Sequence, residues 1–316
     1  MTATPRAKEP SRLGLTHGIL AAFLVSTIFI GPGNVTCAHA DGTLGATAAP
    51  PAPATSILWM QSSAEYRALC LQTYRLAAQA LPGLLEAHRA SAAGGNVTKP
   101  VVVMDLDETV LDNSRFNAQR LLEGLPYSPA LWQCWLEKHR DCVALVPGAL
   151  AFIREARRLG IEAAFISNRP ESHRAATVET LVALGVLDSA EAVSRHPVLL
   201  QLKIDSSGKE TRRQALAGAG WAILALFGDN LDDFSEAFER GALDLSLGNA
   251  AAREERKARV DARADRWGMQ WFVLPNPSYG SWEAKFLGTD KLEELEGVGG
   301  SDRVLGACLR HETQTP

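Results

Sequence analysis

The segment Val101-Val102-Val103-Met104-Asp105-Leu106-Asp107-Glu108-Thr109 constrains this chain more than any other. Its first four residues are apolar and mostly β-branched, the continuous run expected of a parallel strand buried on both faces. The run stops at two carboxylates spaced i, i+2. At the carboxyl end of such a strand the chain must turn, and in open α/β sheets that edge is where ligands bind. Past the strand end the backbone curls, so both acids can converge on one point. Like charges held together at a loop mouth repel unless a cation or a proton sits between them.

The rest of the chain repeats the strand-then-polar pattern. Further strands are expected at Ile161–Ile166, Val198–Leu202, Trp221–Phe227 and Trp271–Leu274, with helices at Ala149–Leu159, Ser172–Leu184, Lys209–Gly218 and Ala251–Arg266. Strands alternating with helices imply a parallel sheet with right-handed crossovers. The expected fold class is α/β, a Rossmann-like parallel sheet sandwiched by helices, with a small, mainly helical extra domain. Residues 56–98 read as a helical lead-in, with Leu69, Leu71, Leu76, Ala80 and Leu84 near helical spacing and Pro82-Gly83 as an interruption. Residues 99–288 are the core, and an aromatic-rich helical insertion is expected at about 113–145. Residues 289–316 form a tail.

Each polar cluster falls at a strand's carboxyl end. Ser167-Asn168-Arg169 closes one strand, and Gly228-Asp229-Asn230-Leu231-Asp232-Asp233 closes another with three acids in five residues. Hard carboxylate and carbonyl oxygens suit Mg²⁺, which keeps several waters. A phosphomonoester resists attack because its own charge repels nucleophiles, so its cleavage needs an electrophilic clamp, an in-line nucleophile and an acid for the leaving oxygen. Asp105 is the candidate nucleophile and Asp107 the candidate general acid and base. The metal set expected for one Mg²⁺ is the carboxylates of Asp105 and Asp229 with the backbone carbonyl of Asp107, while Asp233 acts through water. Ser167 and Asn168 can donate hydrogen bonds to phosphoryl oxygens.

These residues carry a family resemblance. D-x-D-x-T after an apolar strand resembles motif I of the haloacid dehalogenase superfamily. The longer string DLDETVLDNS is similar to the class C bacterial acid phosphatases, the lipoprotein acid phosphatase and 5′-nucleotidase family. That resemblance implies the same roles for Asp105 and Asp107, and a lysine ahead of the fourth strand to neutralise phosphate and nucleophile. Lys203 and Lys209 both qualify by position. Lys209 matches the family's third motif better, and it opens a helix whose backbone N–H groups would also face an anion. The string Pro275-Asn276-Pro277-Ser278-Tyr279-Gly280-Ser281-Trp282-Glu283 resembles the family's C-terminal signature. The family further implies that Trp132 and Tyr279 flank the cleft as a pair of rings able to sandwich a planar base. Phe116 and Trp135 read instead as core.

The ends and composition bound the partners. Arg6, Lys8 and Arg12 precede an apolar stretch, Ile19–Ile30, and Ala38-His39-Ala40 offers a cleavage site. Residues 1–40 are therefore expected to be a secretory signal, and the Gly, Ala, Pro and Thr of 41–55 a flexible linker. The expected location is exported, periplasmic or extracellular, without stable membrane insertion once the signal is removed. Cys37 offers a lipid anchor, although Asn34-Val35-Thr36 is a poor lipobox. Four cysteines remain beyond it, Cys70, Cys134, Cys142 and Cys308, which permit two disulfides in three pairings or four free thiols. A net charge of -4 is too small to steer the chain toward nucleic-acid polymers, so the expected partners are small phosphomonoesters. A phosphotransferase of the same superfamily would use the same motifs under a larger cap. A non-catalytic phosphate-binding or storage protein would lack the nucleophile.

Overall fold

The computed structural model describes residues 52–92, 98–244 and 249–282. The expected signal segment 1–40 with Cys37, the expected linker as far as 51, Cys308 and the expected tail 289–316 lie outside the described residues. Among those described, no helix is long and apolar enough to cross a membrane.

Among the described residues seven strands are formed: β1 Lys99–Met104, β2 Leu111–Asp112, β3 Ala144–Leu145, β4 Glu162–Pro170, β5 Leu200–Lys203, β6 Trp221–Gly228 and β7 Trp271–Val273. Five of them make a parallel sheet in the order β5-β4-β1-β6-β7. The chain winds outward from β1 to β4 and β5, then returns to β6 on the other side of β1. The order therefore reverses between β1 and β6, the crevice where open α/β sheets bind ligands.

Alternation along β1 explains the two layers of helices. Val102 and Met104 face a cluster with Phe165, Phe227 and Phe272, covered by α2 Ala64–Ala92 and α5 Ala149–Arg158 through Tyr74, Leu81, Phe152 and Ile153. Val101 and Val103 face the opposite side with Ile166, Leu226 and Trp271, covered by Leu216 of α8 Glu210–Gly218 and by Phe234 and Phe238. A bulge in the β1–β6 pairing skips Leu224, so Met104 lies beside Phe227 and the two strand ends finish level.

The amino-terminal helices differ from expectation in three ways. Helix α1 Ala52–Ser62 begins inside the stretch expected to be linker. Helix α2 continues through Pro82, where the proline stands on the exposed face while Leu81 and Leu85 beside it stay buried. Its packing face is Tyr66, Cys70, Tyr74, Ala77, Leu81 and Leu85, whereas Leu69, Leu71 and Leu76 are exposed.

The insertion is spliced into a small antiparallel ribbon. Leu111 pairs with Leu145 and Asp112 with Ala144, and between these strands the chain forms α3 Ser114–Leu122 and α4 Pro129–Lys138. Ser128 caps α4 by accepting from the Leu131 N–H at 3.2 Å, with Pro129 at the first helical position. Among the described residues Cys70 and Cys134 carry free thiols, and Cys308, which each two-disulfide pairing needs, lies outside them. Cys70 is sealed in the α2 core and Cys134 sits half-buried on α4.

Candidate active site

The backbone N–H of Asp105 still donates to the Phe227 carbonyl, at 2.9 Å, so this residue remains tied to β6 after β1 has ended. Its alternation with Val101 and Val103 points it toward the α8 layer. The chain then doubles back: the Leu106 carbonyl accepts from Val110 and Leu111 at 2.9 and 2.8 Å. Glu108 takes a left-handed φ of 55° to close this turn. The Tyr74 hydroxyl of α2 donates to the Thr109 carbonyl at 2.6 Å and pins the turn from below.

Glu108, the third acid of the segment, does not face the cleft. It is fully buried, and its Oε1 accepts the Asn113 N–H at 2.9 Å. Burial first, then the charges of Asp107 and Asp229, holds its carboxyl well above the ordinary carboxylate range. It is a structural acid beneath the site, in surroundings that disfavour its charged form.

Four charged groups from distant stretches meet at the β1–β6 crevice. Lys209, at the amino end of α8, places Nζ against Asp105 Oδ1 and 2.7 Å from Asp233 Oδ1. Oxygens of Asp105, Asp229 and Asp233 all lie within 4.8 Å of one another. Asp229 is held by the Asn276 amide, which donates to Oδ2 at 2.7 Å. Asp233 folds its side chain back over Gly228 and accepts the Asn230 N–H at 3.0 Å. A Cβ on Gly228 would lie 2.3 Å from Asp233 Oδ2, so this carboxylate can sit there only above glycine.

The electrostatics calls for a cation. Burial lifts the Asp105 carboxyl to about 7, Lys209 opposes that rise, and Asp233 and Asp107 add to it. Burial, then the charges of Asp233 and Asp105, push Asp229 well above its ordinary value. Burial works against the charge on Lys209, yet Asp105 and Asp233 more than compensate and raise it. Three carboxylates against one ammonium leave two negative charges on hard oxygen donors, a set that fits one divalent ion.

Asp107 stands apart from this cluster. Its carboxylate turns to Arg169, fully buried at the end of β4, whose Nη2 donates to Oδ1 at 2.6 Å. Asp233, expected to act only through water, takes its place among the clustered carboxylates. Lys203 sits on β5 and has no contact with Asp105, while Lys209 bonds to it directly.

A cavity of about 540 Å³, a size that suits a small-molecule ligand, opens above these groups. Asp105, Asp107, Asn168, Lys209, Trp132 and Tyr279 line it. Ser167 lies beneath, without exposed surface, its Oγ accepting the Arg169 N–H at 3.2 Å. Arg212 donates to the Ser167 carbonyl and to Asn168 Oδ1, both at 2.7 Å. That bond turns the Asn168 oxygen away and leaves its amide N–H groups without a partner among the described residues. Trp132, on α4, has Phe116 edge-on at 5.1 Å beneath it. The Asn276 side chain also accepts from Ser278, so one residue fixes both Asp229 and the turn that carries Tyr279.

Arg169, Asn276, Arg212 and Asn113 are the site residues that sequence reasoning missed. A charged residue directly after Ser167-Asn168 and an asparagine between two prolines were the only signals they gave.

A doubly wound parallel sheet with an acid cluster and a lysine at its switch point is the architecture of a phosphoryl-transfer protein of the haloacid dehalogenase type. The chain belongs to the HAD superfamily, subfamily IIIB, the acid phosphatases, whose family model matches residues 43–282. It is similar to the class C acid phosphatase from Bacillus anthracis, at 28% identity over 84% of this chain and 97% of that one, with a TM-score of 0.59. The tungstate-bound form of that enzyme matches with a TM-score of 0.60. Acid phosphatase 1 of Solanum lycopersicum is 25% identical over 144 residues, 44% of this chain and 53% of that protein. The chain thus spans about half the length of that plant relative.

Proposed function

We propose that this chain is an exported, Mg²⁺-dependent acid phosphatase that hydrolyses small phosphomonoesters, with nucleoside 5′-monophosphates as preferred substrates. The observation that carries this reading is Lys209 bridging Asp105 and Asp233, with Asp229 in the same cluster, at the floor of a ligand-sized cavity.

One oxygen of Asp105 attacks phosphorus in line, and the ester P–O bond breaks as the Asp105–phosphorus bond forms. The leaving oxygen takes a proton from Asp107. Asp107 then takes a proton from the water that attacks the aspartyl-phosphate, which releases phosphate and restores the Asp105 carboxylate. Lys209 favours the ionised form of Asp105 against burial and, with the Asn168 amide and the loop at Ser167, neutralises and orients the phosphoryl oxygens. Asp105, Asp229 and Asp233, with the Asp107 carbonyl, would hold Mg²⁺, which when bound would neutralise charge on the phosphoryl group. The choice of leaving group belongs to the rim, where Trp132 and Tyr279 offer π-faces to a planar base.

Asp105→Asn is isosteric and should abolish hydrolysis of p-nitrophenyl phosphate while the circular dichroism spectrum stays that of the folded protein. Wild-type turnover in that variant refutes the nucleophile. Chelation should remove activity and added Mg²⁺ should restore it.

A further inference from the structure

Asp107 is enclosed by a hydrogen-bond network that links it to the insertion. Arg169 Nε donates to its Oδ1 at 3.0 Å and to its Oδ2 at 3.1 Å, and Nη2 donates to Oδ1 at 2.6 Å. Asn113 Nδ2 also donates to Oδ1, at 2.9 Å, and Asn113 Oδ1 in turn accepts from the Trp135 indole at 3.1 Å. The Arg169 guanidinium carries the Trp132 ring at 5.7 Å. Both partners of Asp107 are therefore held by tryptophans of one helix, α4.

The bonds are unequally shared. Oδ1 accepts three, more than its two lone pairs favour, whereas Oδ2 has the single 3.1 Å contact. A bidentate guanidinium fixes a carboxylate plane as no single-point cation can. Arg169 is almost without exposed surface, while Asp107 lines the cavity.

We infer that Arg169 and the Asn113–Trp135 pair are positioning residues for the acid, holding Oδ1 so that Oδ2 is the atom that passes the proton to the leaving oxygen. This rests on the general-acid reading of Asp107 given above. Because α4 also carries Trp132, the helix that meets the leaving group is the one that orients the acid serving it.

The test compares kcat/KM on an alkyl phosphate and on p-nitrophenyl phosphate, whose leaving oxygen needs little help from an acid. This parameter reports steps only as far as leaving-group departure, so hydrolysis of the aspartyl-phosphate does not enter. Asp107→Asn should lower the alkyl-to-aryl ratio roughly a hundredfold, within the range of general acid catalysis. Arg169→Lys keeps the charge but loses the fork, and should lower the ratio about tenfold. Trp135→Phe keeps a ring but removes the donor to Asn113, and should lower it by roughly threefold, within the worth of one neutral hydrogen bond. A purely structural ion pair would depress both substrates alike, with the ratio unchanged and the melting temperature reduced. If Arg169→Lys and Trp135→Phe leave the ratio unchanged while Asp107→Asn lowers it, Asp107 keeps its role and the network does not position it. If Asp107→Asn itself leaves the ratio unchanged, Asp107 is not the acid and nothing remains for Arg169 to position.

Discussion

Divalent cation should stabilise the metal-free protein more at about pH 7.5 than at about pH 5. Burial, with Asp233 and Asp107, raises the Asp105 carboxyl from 3.8 to about 7 despite Lys209. The unfolded chain ionises this group near 3.8, so the folded state holds an extra proton between roughly pH 4 and 7. Stability without cation therefore falls as pH rises through that window. Above it the cost from this one group is about 4 kcal/mol, and Asp229, raised in the same direction, adds to it. An ion seated among Asp105, Asp229 and Asp233 replaces the proton and offsets part of the penalty. At one hundred times its Kd the ion contributes about 2.7 kcal/mol, which in a domain of this size is about 5–10 °C of melting temperature. At about pH 5 a proton already occupies Asp105, and the gain should drop below roughly half. Scanning fluorimetry of chelator-treated protein against a Mg²⁺ titration at both pH values measures it. An equal gain at both, or a full gain retained by Asp229→Asn, would refute the reasoning.

Three further outcomes are expected. Gly228→Ala adds a methyl where Asp233 Oδ2 would lie 2.3 Å away, so the carboxylate must leave the cluster; kcat/KM should fall at least roughly tenfold, with the half-saturating Mg²⁺ concentration raised. Trp132→Ala should raise KM for a nucleotide about tenfold, the worth of one base–ring stack, and that for a small alkyl phosphate far less; equal effects would place the ring in the core. Tyr74→Phe deletes the 2.6 Å bond to the Thr109 carbonyl, and urea denaturation should show a loss of about 1–2 kcal/mol.

The sheet and its switch point were legible because a buried parallel strand has few spellings: Val101–Met104 and Trp221–Phe227 are apolar throughout, and Ile161–Ile166 is apolar but for Glu162. The acids were legible because nothing in a core explains Asp105 or Asp229 immediately after such runs. Partners across the fold were not. The distance from Asp107 to Arg169 is 62 residues along the chain, and an arginine at a strand end carries no mark of its partner. The face of α2 was misread because leucine is not always buried: Leu69, Leu71 and Leu76 are exposed, while Tyr66, Cys70, Tyr74 and Ala77 pack. Pro82 read as a break because the sequence does not say which side of a helix faces water, and a lost backbone bond is cheap on that side.

The paired ends of the insertion have a consequence for variation. Asp112 and Ala144 are neighbours across one ribbon, about 5 Å apart at strand spacing, so the thirty or so residues between them close a loop whose span is independent of their number. Lengthening or exchanging such a loop costs little entropy, since each doubling adds only about 0.6 kcal/mol. Leaving-group preference can therefore drift, or be engineered by grafting, while the phosphate clamp stays untouched. The constraint on any graft is that it must return an indole-like donor to Asn113 and a flat surface to Arg169.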